Sequence, residues 1–237
     1  MTAINLAVQP ARRAAYLISD CAFTTPDGRL DRIAGKIISF ERFPCAIGMT
    51  GNLDLAALGR ALLALDARNL RTLLLGLPQA LSRALGDTLA MHTGMSEGWG
   101  MLKVAAWDAR RKRPAGYLIA TDAQAAEAVL GPEWGAYQVA ECSSAHGTHE
   151  HISDLLGRPC QLEDAATFDP HVHGYALIAA QRQRGSLNIT PGISDYPFRI
   201  GGEAELTEVT RRGVRVWGVG TFPDKIGERI NPQLAPA

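Results

Sequence analysis

Short apolar segments separated by polar turns make up the first fifty residues. Each segment is four to six residues long, which is the length of a strand rather than a helix. Two turn signals separate them, one at residues 9–13 and one at Pro26-Asp27-Gly28. We therefore predict four antiparallel strands joined as hairpins. They cover residues 3–8, 14–19, 36–40 and 45–48.

After Asn52 the apolar positions recur every three to four residues, as on one face of a helix. This spacing predicts helices over residues 53–65 and 77–91, with Pro78 in the first turn of the second. Both patterns then alternate along the rest of the chain. The further predictions are strands at 102–107, 116–120, 136–140, 204–209 and 214–219, a short helix at 122–129, helices at 148–158 and 170–184, and a loop at 185–202.

The order ββββ, αα, βββ, αα, ββ groups the strands as hairpins and the helices as pairs. Strands grouped in this way form antiparallel sheets, and the helix pairs then cover the sheets in layers. No composition shift or internal repeat divides the chain. The sequence thus predicts an α+β protein with one domain over residues 1–222 and a polar C-terminal tail over residues 223–237.

Charge is balanced, with 24 basic and 24 acidic residues among 237. Such a chain has no general attraction to nucleic acid or to an anionic membrane, so neither is expected as a partner. The one basic run, residues 110–113, lies between two predicted strands and ends at Pro114, which is typical of a solvated hairpin tip. No apolar run approaches about 18 residues, so no membrane span is predicted.

The cysteines are scattered along the chain and form no CxxC pair. This usage favours buried thiols in a reducing compartment over a disulfide framework. The N-terminus lacks a basic segment followed by an apolar run, so no signal peptide is predicted and we expect a cytoplasmic protein. The four are Cys21, Cys45, Cys142 and Cys160.

Four residues near the N-terminus are the types that one mechanism of amide hydrolysis needs. After removal of Met1, Thr2 would offer a hydroxyl nucleophile together with an α-amine of pKa about 8 that can act as base. Lys36 can lower the pKa of the attacking group, and Asp20 can hold that lysine charged and in place. A glycine amide on a tight turn, here at Gly51, can bind the oxyanion.

The order and spacing of these residues resemble the N-terminal-nucleophile (Ntn) hydrolases of the proteasome type, and most of all the bacterial proteasome-like peptidase subunits. In that family a strand pair ends in a small residue and Asp, a later Lys begins a strand, and a glycine turn opens a helix. The detailed match covers about the first 65 residues. The matching segments are Ser19-Asp20, Gly35-Lys36-Ile37 and residues 46–54.

The resemblance implies a four-layer αββα sandwich that hydrolyses peptide or amide bonds, as a threonine peptidase or amidohydrolase. Thr2 would be the nucleophile. Lys36 would act electrostatically on the amine and hydroxyl of Thr2, and Asp20 would hold Lys36 in position. Gly51 would bind the oxyanion, and Ser143 would support the amine. The resemblance requires no metal or organic cofactor and implies a homo-oligomer, while leaving open whether an ATPase is a partner.

Three departures from the family pattern bear on activity. The span from Thr2 to Asp20 is two residues longer than usual. A longer tip at residues 9–13 would absorb the extra residues, whereas an insertion elsewhere would bring Ile4 to the nucleophile position. In addition, Asn52 stands where a second glycine is typical, and the family's Ser-Gly-Gly is replaced by Ser143-Ser144-Ala145.

Two other functions compete with hydrolysis. A proteasome-like fold with a degraded site would be a structural or assembly subunit that forms rings or dimers. Alternatively, five histidines within 28 residues, with Cys160 and acidic residues nearby, suit a zinc or iron site. The histidine pairs fall on predicted helices, where residues i and i+2 diverge, so surface and helix-end histidines are expected instead. The five are His146, His149, His151, His171 and His173.

Overall fold

The computed structural model of the chain describes residues 3–91, 98–145, 168–185 and 196–233. Twelve β-strands and four α-helices lie within these ranges. The strands are β1 (Ile4–Gln9), β2 (Ala14–Asp20), β3 (Ala22–Thr24), β4 (Leu30–Ile33), β5 (Ile37–Phe40), β6 (Cys45–Gly51), β7 (Gly100–Asp108), β8 (Arg113–Ala120), β9 (Ala140–Glu141), β10 (Ser144–Ala145), β11 (Glu203–Thr210) and β12 (Gly213–Thr221). The helices are α1 (Leu55–Ala64), α2 (Leu70–Met91), α3 (Ala123–Leu130) and α4 (Pro170–Arg184).

Two five-stranded antiparallel sheets form the framework. The first has the order β10-β1-β2-β11-β12, and the second has the order β5-β6-β7-β8-β9. A small ribbon of β3 and β4 connects them along the chain. Most neighbouring strands are consecutive in sequence and joined as hairpins, as predicted from the grouping of apolar segments.

The β1–β2 hairpin determines which residues reach the end of the first sheet. Its pairing runs without a register shift from Ile4 opposite Ser19 to Gln9 opposite Ala14. The connection is a four-residue tip, residues 10–13, that contains one 3₁₀ turn. The structure thus has a turn at the predicted tip, and the register between the two strands is continuous.

Three apolar clusters show how the elements pack. Helices α1 and α2 cover the second sheet, α4 covers the first sheet, and the remaining cluster joins the facing sides of both sheets. The predicted helix at 148–158 lies outside the described residues, so a complete four-layer sandwich with two helix pairs stays a prediction. Representative members are Leu62, Leu77 and Ile47 in the cluster of α1 and α2, Ile178 and Ile18 in that of α4, and Leu17 and Leu118 in that between the sheets.

Helix α2 is longer than predicted. It begins at Leu70, where the Asn69 side chain accepts a hydrogen bond from the Thr72 amide, so Pro78 lies inside the helix rather than in its first turn. Buried Leu73 and Leu77 lie one helical turn apart and face the second sheet. Their burial offsets the hydrogen bond that Pro78 cannot donate.

The predicted strand at 136–140 is wrong over most of its length. Only Ala140 and Glu141 pair with β8, and Tyr137 has a left-handed φ of 61°.

In the part of the chain described, no helix has both the length and the apolar character that a membrane span requires.

The segment predicted as a polar tail contacts the fold through buried side chains at two of its described residues. Ile230 is fully buried, in a cluster with Ala22 and Leu30. Asp224 forms a two-pronged ion pair with Arg182 of α4, with both nitrogen–oxygen distances at 2.7 Å and both side chains 2% exposed. Most of the other described residues of this segment are exposed, so its buried side-chain contacts with the fold come from these two.

Replacing Arg182 with Met tests how strongly this ion pair holds the C-terminal segment. The variant leaves the Asp224 carboxylate buried without its cation, so the free energy of unfolding should fall by about 3–5 kcal/mol. Urea denaturation measures this loss. The control is Arg60→Met, because the Arg60–Asp87 pair is exposed and 4.0 Å apart, and it should change stability by about 0.5 kcal/mol or less. Similar losses in both variants would contradict the expectation.

Candidate functional site

The Asp20 carboxylate joins four separate parts of the chain. Asp20 ends β2 and is fully buried. Its Oδ1 accepts a hydrogen bond from the Ala3 amide at 2.9 Å. Its Oδ2 accepts from the Ala22 amide at 3.2 Å and from the Gly201 amide at 3.3 Å. Backbone donors from both ends of the described chain thus hold this carboxylate in one orientation.

Lys36 supplies the fourth donor to Asp20. Its Nζ lies 2.8 Å from Asp20 Oδ2, and its side chain is 4% exposed. The ammonium also lies 5.3 Å from the centre of the Phe23 ring. Among the described residues, Asp20 is its one hydrogen-bond acceptor. An ammonium group has three N–H donors. The structure brings together the predicted aspartate and lysine.

Gly51 is at a position that only glycine tolerates. Its φ of 118° is unfavourable for other residues, and an added Cβ would lie 2.4 Å from the Trp99 carbonyl oxygen. The Asn52 amide donates to that same carbonyl at 2.9 Å, and the Asn52 side chain accepts from the Trp99 amide. Asn52, where the family has a second glycine, therefore closes the turn.

A cavity of about 140 Å³ lies between Lys36 and Gly51. Met49 and Leu55 contribute apolar surface, while Lys36 contributes the cation. A cavity near 150 Å³ admits a group of about the size of benzene. The full lining consists of Ala22, Phe23, Thr24, Lys36, Met49, Gly51, Leu53 and Leu55.

Two predicted site residues remain, Thr2 and Ser143. Thr2 lies outside the described residues. Ser143 is exposed, and its carbonyl accepts a hydrogen bond from the Val8 amide at 2.7 Å. Val8 is five residues along β1 from Ala3, or about 17 Å at the rise of a strand. The structure therefore does not bring Ser143 to the Asp20–Lys36 pair, because its segment meets β1 near the hairpin tip.

Ile4, the alternative nucleophile position, is a core residue. Its side chain is 2% exposed and packs over Gly48, where an added Cβ would lie 2.7 Å from Ile4 Cγ2. This packing follows from the hairpin register.

Two polar features of this region escaped the sequence analysis. Gly201 was assigned to a loop, although a Gly-Gly pair directly before a strand is a signal for close backbone approach. Lys103 was counted as an ordinary strand residue, although it interrupts an otherwise apolar segment. It is 6% exposed, and its Nζ donates to the Ile4 carbonyl oxygen. Burial lowers the pKa of Lys103 to about 8, and the nearby Cys142 thiol partly opposes that shift.

Thiol chemistry is disfavoured at the cysteines that the structure describes. All three are free cysteines, and Cys21 and Cys45 are buried. Burial raises the pKa of the Cys21 thiol, and the neighbouring Glu205 carboxylate raises it further. Burial also raises the pKa of Cys142, to about 11. These groups are neutral thiols at neutral pH, and Cys160 lies outside the described residues.

The histidine cluster is only partly within the described residues. His171 and His173 lie in the first turn of α4, while the other three are outside. His173 is buried, and its Nδ1 accepts a hydrogen bond from the Asp169 amide at 2.9 Å. His171 packs edge-on against Trp217. Over the described ranges, no three His, Cys, Asp or Glu side chains are placed to hold a metal ion.

Comparisons with known proteins bear on the fold. No protein-family model and no curated protein sequence matches the chain. Among solved structures, the Anbu (Gly-1) mutant from Hyphomicrobium sp. strain MC1 is similar over 94% of this chain and 89% of that chain, with 12% sequence identity and a TM-score of 0.52. Anbu is a bacterial proteasome-like Ntn peptidase. The likeness shows a proteasome-like fold. Identity this low carries no statement about catalysis.

Replacing Gly51 with Ala tests the requirement for glycine at the turn. The added methyl group meets the Trp99 carbonyl in a backbone conformation that alanine avoids, so stability should fall by about 2 kcal/mol or more. Gly59→Ala is the matched control, because Gly59 lies inside α1 and nothing lies within 4 Å of an added Cβ. This control should gain about 0.5–1 kcal/mol. Thermal unfolding of both variants measures the contrast, and a neutral Gly51→Ala would contradict it.

The buried Lys103 predicts a pH dependence of stability. Its folded-state pKa of about 8 lies below the ordinary value of 10.5, so between those pH values the unfolded chain binds the proton more tightly. Its contribution to stability is therefore fully present above pH 10.5 and is lost as the pH falls through 8. Relative to Lys103→Met, the wild type should gain roughly 2–3 kcal/mol between pH 7 and pH 10.

Chemical denaturation of both proteins at each pH measures that difference. Subtracting the variant's free energy of unfolding from that of the wild type removes most of the contribution of other titrating groups. One such group is Tyr16, whose pKa is raised to about 12 by burial. A difference that stays constant with pH would show that Lys103 titrates normally in the folded protein.

Proposed function

We propose that this protein hydrolyses peptide or amide bonds with Thr2 as an N-terminal nucleophile, exposed by removal of Met1. One observation carries the proposal. The buried Asp20–Lys36 pair holds, through Asp20 Oδ1, the amide of the residue that directly follows Thr2. The cavity between Lys36 and Gly51 opens at the same place, where a substrate can meet these groups.

The chemistry uses two steps. The Thr2 hydroxyl attacks the substrate carbonyl carbon while the Thr2 α-amine takes its proton. Lys36 stabilises the developing negative charge at the Thr2 oxygen, and Asp20 orients the ammonium group. The Gly51 amide binds the oxyanion. Collapse breaks the carbon–nitrogen bond, the leaving amine takes the proton, and water then hydrolyses the ester on Thr2.

The cavity supports a preference for one kind of substrate. Its volume suits a side chain of about the size of leucine, and its apolar part is formed by residues such as Met49, Leu53 and Leu55. A substrate with a small or medium apolar residue before the scissile bond would bury that residue there. Its carbonyl group would then lie between Lys36 and Gly51.

A structural or assembly subunit is the second candidate, and the position of Ser143 favours it. The hydroxyl expected to support the Thr2 amine lies near the hairpin tip, about 17 Å from Ala3 along β1. In this case Met1 would be retained, and the Asp20–Lys36 pair would serve stability alone. Homo-oligomer formation is expected for both candidates.

Intact mass of the protein purified from its native cells tests the first requirement. The hydrolase proposal expects a mass that lacks Met1, with Thr2 at the N-terminus. Fluorogenic peptide amides with Leu, Val or Ala before the scissile bond then test for turnover. Thr2→Ala and Lys36→Met should each lower kcat by about 10³-fold or more, since each removes a group of the reacting centre.

The controls separate chemistry from folding. Thr2→Ser should keep measurable turnover because it retains both hydroxyl and amine. Ser39→Ala, an exposed change on β5, should leave activity unchanged. A retained Met1, or equal activity of wild type and Thr2→Ala, would favour the structural subunit instead.

A further inference from the structure

Lys103 is a buried cation with an unusual partner. It faces the layer between the sheets, because Met101 and Ala105, two residues to either side on β7, both belong to that apolar cluster. Its Nζ donates to the main-chain carbonyl oxygen of Ile4. No carboxylate among the described residues forms an ion pair with it. A methionine at this position would fill the layer without the cost of burying a charge.

The carbonyl that Lys103 binds is on the outer edge of β1. The Ala3 carbonyl accepts from the Asp20 amide and therefore faces β2, so the next carbonyl, that of Ile4, faces away from β2. On that side the described part of β10 reaches only Leu6, which pairs with Ala145. Lys103 thus reaches across from the facing sheet to satisfy a buried acceptor at the start of β1.

Asp20 and Lys103 bind two consecutive residues at the start of the N-terminal strand, one as an acceptor and the other as a donor. Asp20 Oδ1 accepts from the Ala3 amide, and Lys103 Nζ donates to the Ile4 carbonyl. The Asp20 contact comes from within the first sheet, and the Lys103 contact comes from the second sheet. Together they restrain both the sideways position and the rotation of the peptide units that follow Thr2.

We propose that Lys103 is a positioning residue that fixes the N-terminal strand against both sheets, so that the residue before Ala3 is held at the Asp20–Lys36 pair. This inference rests on the proposed function for its catalytic consequence, but the restraint itself does not. Displacing a reacting group by about 1 Å can cost about 10²-fold in rate. The buried charge of Lys103 does not favour stability, so its role would be to align the N-terminal strand with the Asp20–Lys36 pair.

Hydrogen exchange followed by mass spectrometry tests the restraint without any substrate. In the full-length Lys103→Met variant, the amides of residues 3–5 should exchange at least tenfold faster than in the wild type. The rest of β1 and all of β2 should keep their protection, because the methionine fills the same layer. Leu118→Met is the matched control. Leu118 is the register partner of Lys103 on β8 and faces the same layer, so the change alters packing without removing a donor.

Turnover of the best peptide amide provides the second measurement. With Lys103→Met, kcat should fall at least tenfold while KM changes less than threefold, because alignment of the nucleophile rather than substrate binding is lost. If neither protein hydrolyses any substrate but exchange at residues 3–5 still rises, the proposed function fails and the restraint stands.

Two outcomes would overturn the positioning role. The first is unchanged exchange at residues 3–5 in Lys103→Met. The second is an equal rise in the Leu118→Met control. If Lys103→Met does not fold, Lys103→Gln, which keeps an N–H donor on a shorter side chain, provides a second variant. Its amides at residues 3–5 should exchange faster than those of the wild type, and unchanged exchange there would overturn the proposal.

Discussion

A single buried carboxylate, that of Asp20, determines how the two ends of the described chain and the start of the second sheet come together. It accepts hydrogen bonds from the backbone beside β1, β2 and β11, and it binds the Lys36 ammonium that precedes β5. A buried carboxylate is stable only if its lone pairs are satisfied, so all these donors must be in place at once. The geometry of the candidate site thus follows from the need to supply hydrogen-bond donors to the buried Asp20 carboxylate.

Three further buried charges, those of Arg182, Asp224 and Lys103, support this arrangement from outside. Arg182 and Asp224 hold the loop of Gly201 and Gly202, since Asp224 accepts from the Gly202 amide at 2.9 Å and Arg182 donates to the Ile200 carbonyl. On the other side Lys103 holds β1. The region around the N-terminal strand therefore contains more buried charge than the apolar layers around it. Placing charges there costs stability, and their common effect is to fix backbone positions next to Asp20.

The elements that were predicted well are those whose pattern is local. Hairpins with short polar tips and alternating apolar residues could be placed along the sequence, as could the Asp20–Lys36–Gly51 spacing. Errors arose where a distant contact overrides local preference. Pro78 was expected to begin a helix, but burial of Leu73 extends that helix upstream. Ser143 was assigned to the site by motif, but its position depends on which part of β1 its segment meets.

By itself, the sequence determined the strand and helix types, the antiparallel grouping and the residue types available for chemistry, because periodicity and turn residues act over a few positions. The tertiary structure alone decided that Asp20 and Lys36 form one buried pair, that Ser143 lies away from them, and that Lys103 and Asp224 are buried. These features depend on pairing between segments up to about two hundred residues apart. No local pattern encodes such pairing, because it follows from which charges the folded core can satisfy.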